Sequence, residues 1–279
     1  MTGARVIRRR FADVDHGQIH YRTAGEGAPL LAIHASPGSS RQMVGLIDDL
    51  SGFARVIAPD TPGNGDSDAL PIDAPSIIDL ARAYLGLLDA LGLERVSLYG
   101  SHTGAAIAAE LAILAPGRVD RLILDGVQVL DEAARAEMMA LYAHPFTPDL
   151  DGAYLARAFM FCRDQFLFYP WYDRTRRGQR QGGLPHPRAL HGLLLELLKA
   201  GETYHLNYRA AFRWIAPDRL PLVGCPTLVV AAENDPLMDQ TRAVATALGD
   251  GGFVGLPRLD AADYAEQRRA VIAKFIARA

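Results

Sequence analysis

Short apolar runs set off by turn residues, with helical stretches between them, constrain this chain more than any other feature. Leu30–His34 (LLAIH), Val56–Ala58 (VIA), Val96–Tyr99 (VSLY), Leu122–Leu124 (LIL) and Thr227–Ala231 (TLVVA) show no alternation of polar and apolar residues. Runs of this kind fit strands covered on both faces in a parallel sheet. Between them, Ser76–Leu91 places Ile77, Leu80, Tyr84, Leu87, Leu88 and Leu91 at steps of three and four, which gives a helix one apolar face. Strands alternating with helices imply an α/β chain with a mostly parallel, doubly wound sheet. Gln18–Thr23 alternates Ile19 and Tyr21 with polar neighbours ahead of Gly25 and Gly27, and reads as the outer strand of a hairpin turning there.

The alternation stops after Leu124 and resumes only at Thr227. Residues 128–220 therefore read as a helical cap inserted into a core made of residues 1–127 and 221–279. Residues 141–214 carry fourteen of the chain's aromatic side chains, both tryptophans included. Such enrichment suits a cap packed on the core and also a pocket wall. Phe161, Phe166, Phe168, Tyr169, Trp171, Tyr204, Tyr208 and Trp214 are the residues expected to line an apolar cavity. Arg157, Arg163, Arg174, Arg176, Arg177, Arg180 and Arg188 face only Asp164 and Asp173 in the same stretch. They read as a solvated surface or as a basic rim that attracts a carboxylated substrate.

At 279 residues and 49% hydrophobic composition, the chain can bury a sizeable core. Its 29 Lys and Arg against 32 Asp and Glu leave a net charge of −3, which offers no field for a polyanion, so nucleic acid is not an expected partner. Cys162 and Cys225, the only cysteines, lie far apart and suggest neither a disulfide framework nor a thiolate metal site, so a reducing cytoplasm is expected. Met1–Asp15 has four arginines but no apolar run after them. The most apolar later stretch, Gly104–Ala115, is interrupted by Glu110 and stopped by Pro116. Neither a signal peptide nor a membrane span is expected. A homodimer stays open.

Three motifs follow predicted strands. The first is Gly100-Ser101-His102-Thr103-Gly104, where two glycines four apart lead from a strand into an alanine-rich helix. That is the frame of a nucleophile elbow, with His102 as the residue projected over the sheet edge. The second is His34-Ala35-Ser36-Pro37-Gly38, and the third is Asp60-Thr61-Pro62-Gly63-Asn64-Gly65-Asp66-Ser67. With Glu233-Asn234-Asp235 after TLVVA, these stretches resemble the α/β-hydrolase superfamily over most of the chain outside the cap. The resemblance implies an α/β-hydrolase fold with an inserted helical cap, a small-molecule substrate, Asp235 as the acid, and the amides of Ser36 and Thr103 as an oxyanion hole. Asp125, after LIL, is the alternative acid.

Two departures from the family pattern stand out. His102 occupies the position usually held by Ser, Asp or Cys, and Ser101 sits one place early. The loop that usually carries the catalytic histidine reads Leu256-Pro257-Arg258-Leu259-Asp260-Ala261, with no histidine. The two departures read as one change, in which the ring of His102 meets Asp235 directly as a dyad. His34 is expected to bond backbone within its turn. His144, His186, His191 and His205 lie in the cap, and no histidine pair has metal-ligand spacing. The glycine pairs at 25 and 27 and at 63 and 65 fall in loops, so no dinucleotide cofactor and no metal are expected. The leading expectation is a cofactor-independent hydrolase of a small aromatic or hydrophobic ester, lactone or related carbonyl compound. The alternatives are a lyase, decarboxylase or cyclase using His102 as acid or base, and a binding protein without turnover.

Overall fold

The computed structural model describes residues 6–246, 248 and 252–277. The first five residues of the N-terminal stretch read above lie outside this range. Eight strands form one sheet in the order β1-β2-β4-β3-β5-β6-β7-β8. They are β1 (Arg8–Val14), β2 (Gly17–Ala24), β3 (Pro29–Ile33), β4 (Arg55–Pro59), β5 (Val96–Ser101), β6 (Val119–Asp125), β7 (Thr227–Ala232) and β8 (Gly252–Leu256). The pairs β1/β2 and β2/β4 are antiparallel, and all other neighbours run parallel.

Each apolar run is a strand, and its burial explains its composition. Leu30, Leu31, Ala32 and Ile33 of β3 are all buried. Leu31 and Ile33 face one core, while Leu30 and Ala32 face the other. The first core lies under α2 (Ile77–Ala90) and α3 (Thr103–Leu114), and the second under α1 (Val44–Leu50) and the last helix, Tyr264–Ile276. Helix α2 starts where its sequence dictates. Ser76 accepts the Asp79 amide while the Asp79 carboxylate accepts the Ser76 amide, so two otherwise unpaired donors are satisfied at once.

The sheet corrects the reading of Gln18–Thr23. Strand β2 does not turn back at Gly25 and Gly27 onto the next strand; it pairs with β1 on one side and β4 on the other. The edge belongs to β1, whose Arg8, Arg9 and Arg10 are exposed. Three cations in a row leave this segment without an apolar run. On an edge they discourage pairing with another chain, and solvent on one side removes the need for an apolar run.

Between β6 and β7 lie α4 (Glu132–Leu141), α5 (Ala153–Leu167), α6 (Pro187–Lys199), α7 (Tyr204–Arg213) and α8 (Ala216–Arg219). These helices share an aromatic core of their own, including Tyr142, Phe161, Tyr204, Tyr208 and Phe212. Polar contacts hold them to the loops below. Tyr208 donates to the Ser36 carbonyl (2.7 Å), Ser39 donates to the buried Glu196 carboxylate (2.8 Å), and Asn207 donates to the Pro62 carbonyl (3.0 Å). Glu110, which breaks the apolar pattern of α3, is fully buried. It accepts Nε (2.6 Å) and Nη2 (2.9 Å) of Arg219 together with the indole N–H of Trp214 (2.8 Å). No helix among the described residues is long and apolar enough to cross a membrane.

Candidate active site

Strand β3 sits between β4 and β5, so the sheet changes direction there. The loops after β3 and β5 open side by side at the carboxyl ends of the strands, where ligands bind in open α/β sheets. The turn after β5 is sharp. His102 has φ 51° and ψ −109°, the only positive φ outside glycine among the described residues. A side chain held in that region costs roughly 1–3 kcal/mol and persists only where the surroundings enforce it.

Three glycines enforce it. A Cβ on Gly100 would lie 2.2 Å from the Gly104 carbonyl oxygen, and one on Gly104 would lie 2.2 Å from the Ile33 carbonyl oxygen. Both elbow glycines therefore permit close packing of α3 on β3 and β5. The third, Gly126, follows β6 with φ +76°. A Cβ there would meet Cδ2 of His102 at 2.4 Å and Nε2 at 2.6 Å, so the imidazole lies across bare backbone. The His102 amide also donates to the Asp125 carbonyl (2.9 Å), which ties the elbow to β6.

The imidazole reaches the acid after β7. Nε2 of His102 and Oδ2 of Asp235 are 2.8 Å apart, and Oδ1 of Asp235 accepts the Leu237 amide (2.7 Å). With an ionised Asp235 as acceptor, Nε2 carries the proton and Nδ1 keeps a lone pair. Burial pulls the imidazole's pKa down, but the charges of Asp235 and Asp125 and the hydrogen bond to Asp235 outweigh it. His102 therefore titrates above an ordinary histidine. Burial raises Asp235 in turn, and the charge and hydrogen bond of His102 bring it below the usual carboxylate range.

Asp125, the alternative acid, does not bond the ring. Its buried carboxylate accepts the Tyr99 hydroxyl instead. Burial pushes it up to about 6, with Tyr99 opposing and the charge of Asp235 adding to the rise. Asp125 pairs in register with Ser101 across β5 and β6, and Tyr99, two residues earlier on β5, reaches its carboxylate with the hydroxyl.

Ser36, His102 and Thr103 line one cavity together. The amides of Ser36 and Thr103 have no hydrogen-bond partner among the described residues. Of the eight cap aromatics expected here, Tyr169, Tyr208 and Trp214 line this cavity and the other five do not. Phe161, Trp171 and Tyr204 face a separate cavity among the helices between β6 and β7, while Phe166 and Phe168 line neither. Spacing could not separate them, because cap helices bury aromatics against one another as readily as over the site. Tyr142 and Phe212 line the pocket and were not anticipated, and neither were Gln128 and Gln165, so the cavity is more polar than expected. The side-chain amide of Gln165 lies 2.9 Å from the Tyr208 hydroxyl, whose single proton goes to the Ser36 carbonyl.

The seven arginines divide. Arg163 and Arg174 both pair with the buried Asp164, Arg157 pairs with Asp149 and Arg177 with Asp173, whereas Arg180 lines the His102 pocket. His34 bonds backbone, with Nδ1 against the Ala35 carbonyl and Nε2 accepting the Thr61 amide, both at 2.9 Å. His144, His186, His191 and His205 do not line the pocket. Among the described residues, metal-ligand side chains gather only at His20, Asp60 and Asp66. There Asp60 already accepts from His20 (2.9 Å), the Ser40 amide (2.7 Å) and the Asp66 amide (2.8 Å), so its lone pairs serve the fold.

A strained residue after the central strand, met from the far side by an acid after β7 and roofed by inserted helices, is the arrangement of the α/β-hydrolase class. The chain belongs to that superfamily: a family model described as the α/β hydrolase fold matches residues 28–247. A 2-hydroxy-6-oxo-6-phenylhexa-2,4-dienoate hydrolase from Comamonas testosteroni is 36% identical over 148 residues, 48% of this chain and 51% of that protein. One from Burkholderia cepacia is 33% identical over 230 residues, 78% of this chain and 75% of that protein. The match thus spans about half the length of the first relative and three quarters of the second. Among solved structures, the enol-lactonase from Burkholderia xenovorans LB400 superposes with a TM-score of 0.71 at 22% identity, covering 96% of this chain and 99% of that one. The named relatives are hydrolases, and the chain is an enzyme of their superfamily.

Proposed function

We propose that this enzyme hydrolyses a small, hydrophobic carbonyl compound that carries a carboxylate, with His102 and Asp235 as a general-base dyad. The contact of 2.8 Å between His102 and Asp235, in the cavity lined by Ser36 and Thr103, carries the reading. Asp235 holds the proton on Nε2, so Nδ1 takes a proton from water as the water oxygen attacks the carbonyl carbon. The carbonyl oxygen gains negative charge and is stabilised by the two amides. The intermediate collapses by breaking the bond to the leaving group, which recovers the proton from the imidazolium.

The rest of the pocket supports the substrate class. Tyr169, Tyr208, Phe212 and Trp214 offer apolar contact, and Arg180 offers a cation for a carboxylate. The two dienoate hydrolases act, by name, on an oxo acid bearing a phenyl group, a compound that would match these features.

The test is a panel of aromatic esters, lactones and oxo acids, each with and without a carboxylate, in isotopically labelled water. His102→Ala is expected to abolish turnover, and Arg180→Gln to raise KM for the carboxylated members only. Hydrolysis that survives His102→Ala would overturn the dyad. Product formed without label would move the chemistry to a lyase or decarboxylase.

A further inference from the structure

We propose that the cap holds a second small-molecule site, separate from the pocket at His102, that binds an aromatic carboxylate. The proposal does not depend on the chemistry at His102. Its site is the cavity of about 460 Å³ inside the cap, within the rough range of 300–1,000 Å³ of small-molecule sites.

The walls select for a flat ring. Phe161 stands edge-on to Trp171, with centroids 5.2 Å apart at 79°, and is tilted against Tyr204 at 5.6 Å. Phe146 stacks on Tyr204 at 5.4 Å and 13°. These rings pack on one another both edge-on and stacked, and a planar ligand in the cavity they line extends that packing.

The remaining polar lining selects for an anion. Arg157, Arg174 and His144 line the cavity, and no carboxylate does among the described residues. Arg174 lies over the Trp171 ring, 5.9 Å from its centroid, and pairs with Asp164 at 2.7 Å. The same carboxylate also pairs with Arg163 at 2.6 Å. One carboxylate neutralises one guanidinium, so a positive charge is left beside the aromatic walls. Arg157 shares only the surface carboxylate of Asp149, at 3.4 Å. An aromatic anion satisfies both halves of the lining.

Tyr142 is the one residue common to this cavity and the His102 pocket. It is buried, its carbonyl accepts the Trp171 indole N–H (2.9 Å), and its ring packs on Tyr208 at 5.0 Å. The two cavities are therefore partitioned by a fixed aromatic wall.

The chain's two tryptophans fall one to each cavity, Trp171 in the cap and Trp214 at His102. Fluorotryptophan-labelled protein consequently gives one fluorine resonance per cavity, assignable with Trp171→Phe and Trp214→Phe. Benzoate is the probe. It is expected to shift the Trp171 resonance saturably, and to do so still in Trp214→Phe. Ala156→Phe, at an exposed position lining the cavity, should abolish the shift, and Arg157→Glu should weaken it several-fold. Benzyl alcohol, of the same size without the charge, should bind more weakly. A Trp171 resonance unmoved by millimolar benzoate, or equal binding of benzyl alcohol, would overturn the proposal. So would a shift that follows protein concentration without benzoate, since a second copy of the chain would then cover the cavity.

Discussion

Gly126 supplies the space in which the imidazole of His102 lies: a Cβ at that position would fall 2.4 Å from Cδ2 of the ring. Gly126→Ala is therefore expected to drive the ring off Asp235, and at φ +76° it also strains the backbone by roughly 1–2 kcal/mol. Turnover should fall far more than stability. Measuring kcat beside the urea midpoint checks this, and equal activity in the variant would show that the ring has other room.

Asp235→Asn removes the charge that holds His102 above its ordinary pKa, while the burial that lowers it remains. The wild-type enzyme should gain activity as pH rises through a value above 6.5, because the base must be neutral. In the variant that limb should move to lower pH, with kcat down by about 100-fold or more. The pair's contribution to stability has the opposite sense. It is fully present above about 3.9 and below about 6.5, the ordinary values of the two groups, and is lost on either side. Thermal midpoints against pH in both proteins read this out.

Asp125 carries a cost at neutral pH. Its carboxyl titrates at about 6 when folded, above its unfolded value, so ionisation favours the unfolded chain. That penalty is absent well below the unfolded value and grows as pH rises to about 6. Asp125→Asn keeps an acceptor for Tyr99 and removes the charge. It should stabilise the protein by up to roughly 3 kcal/mol above pH ~6 and by little near pH ~4. Urea titrations at the two pH values compare them.

Glu110 is buried in α3 and anchors Arg219 and Trp214 at the base of the cap. Arg219→Met leaves the fully buried Glu110 carboxylate without its cationic partner and should cost about 3–5 kcal/mol. The double variant Glu110→Leu with Arg219→Met should recover most of that stability, yet Trp214 would lose its indole partner beside the pocket. Stability should then return without full recovery of KM.

Much of this protein is legible from residue order alone, because burial on both faces forces a strand to be apolar throughout. That is why LLAIH, VIA, VSLY, LIL and TLVVA mark the parallel sheet, while β1 and its exposed arginines escape notice. The elbow is legible for a related reason, since close backbone approach at Gly100 and Gly104 tolerates no other residue. Asp235 can be anticipated from its place after TLVVA. Its distance from His102, Asp125's attachment to Tyr99, and the role of Gly126 arise only when β5, β6 and β7 lie side by side. The helical stretch between β6 and β7 is the least legible part. Its aromatics share one composition, and only the three-dimensional packing of α4–α8 sends Tyr169, Tyr208 and Trp214 to one cavity and Phe161, Trp171 and Tyr204 to another. Apolar packing is non-directional, so a sequence can specify that a side chain is buried without specifying what it is buried against.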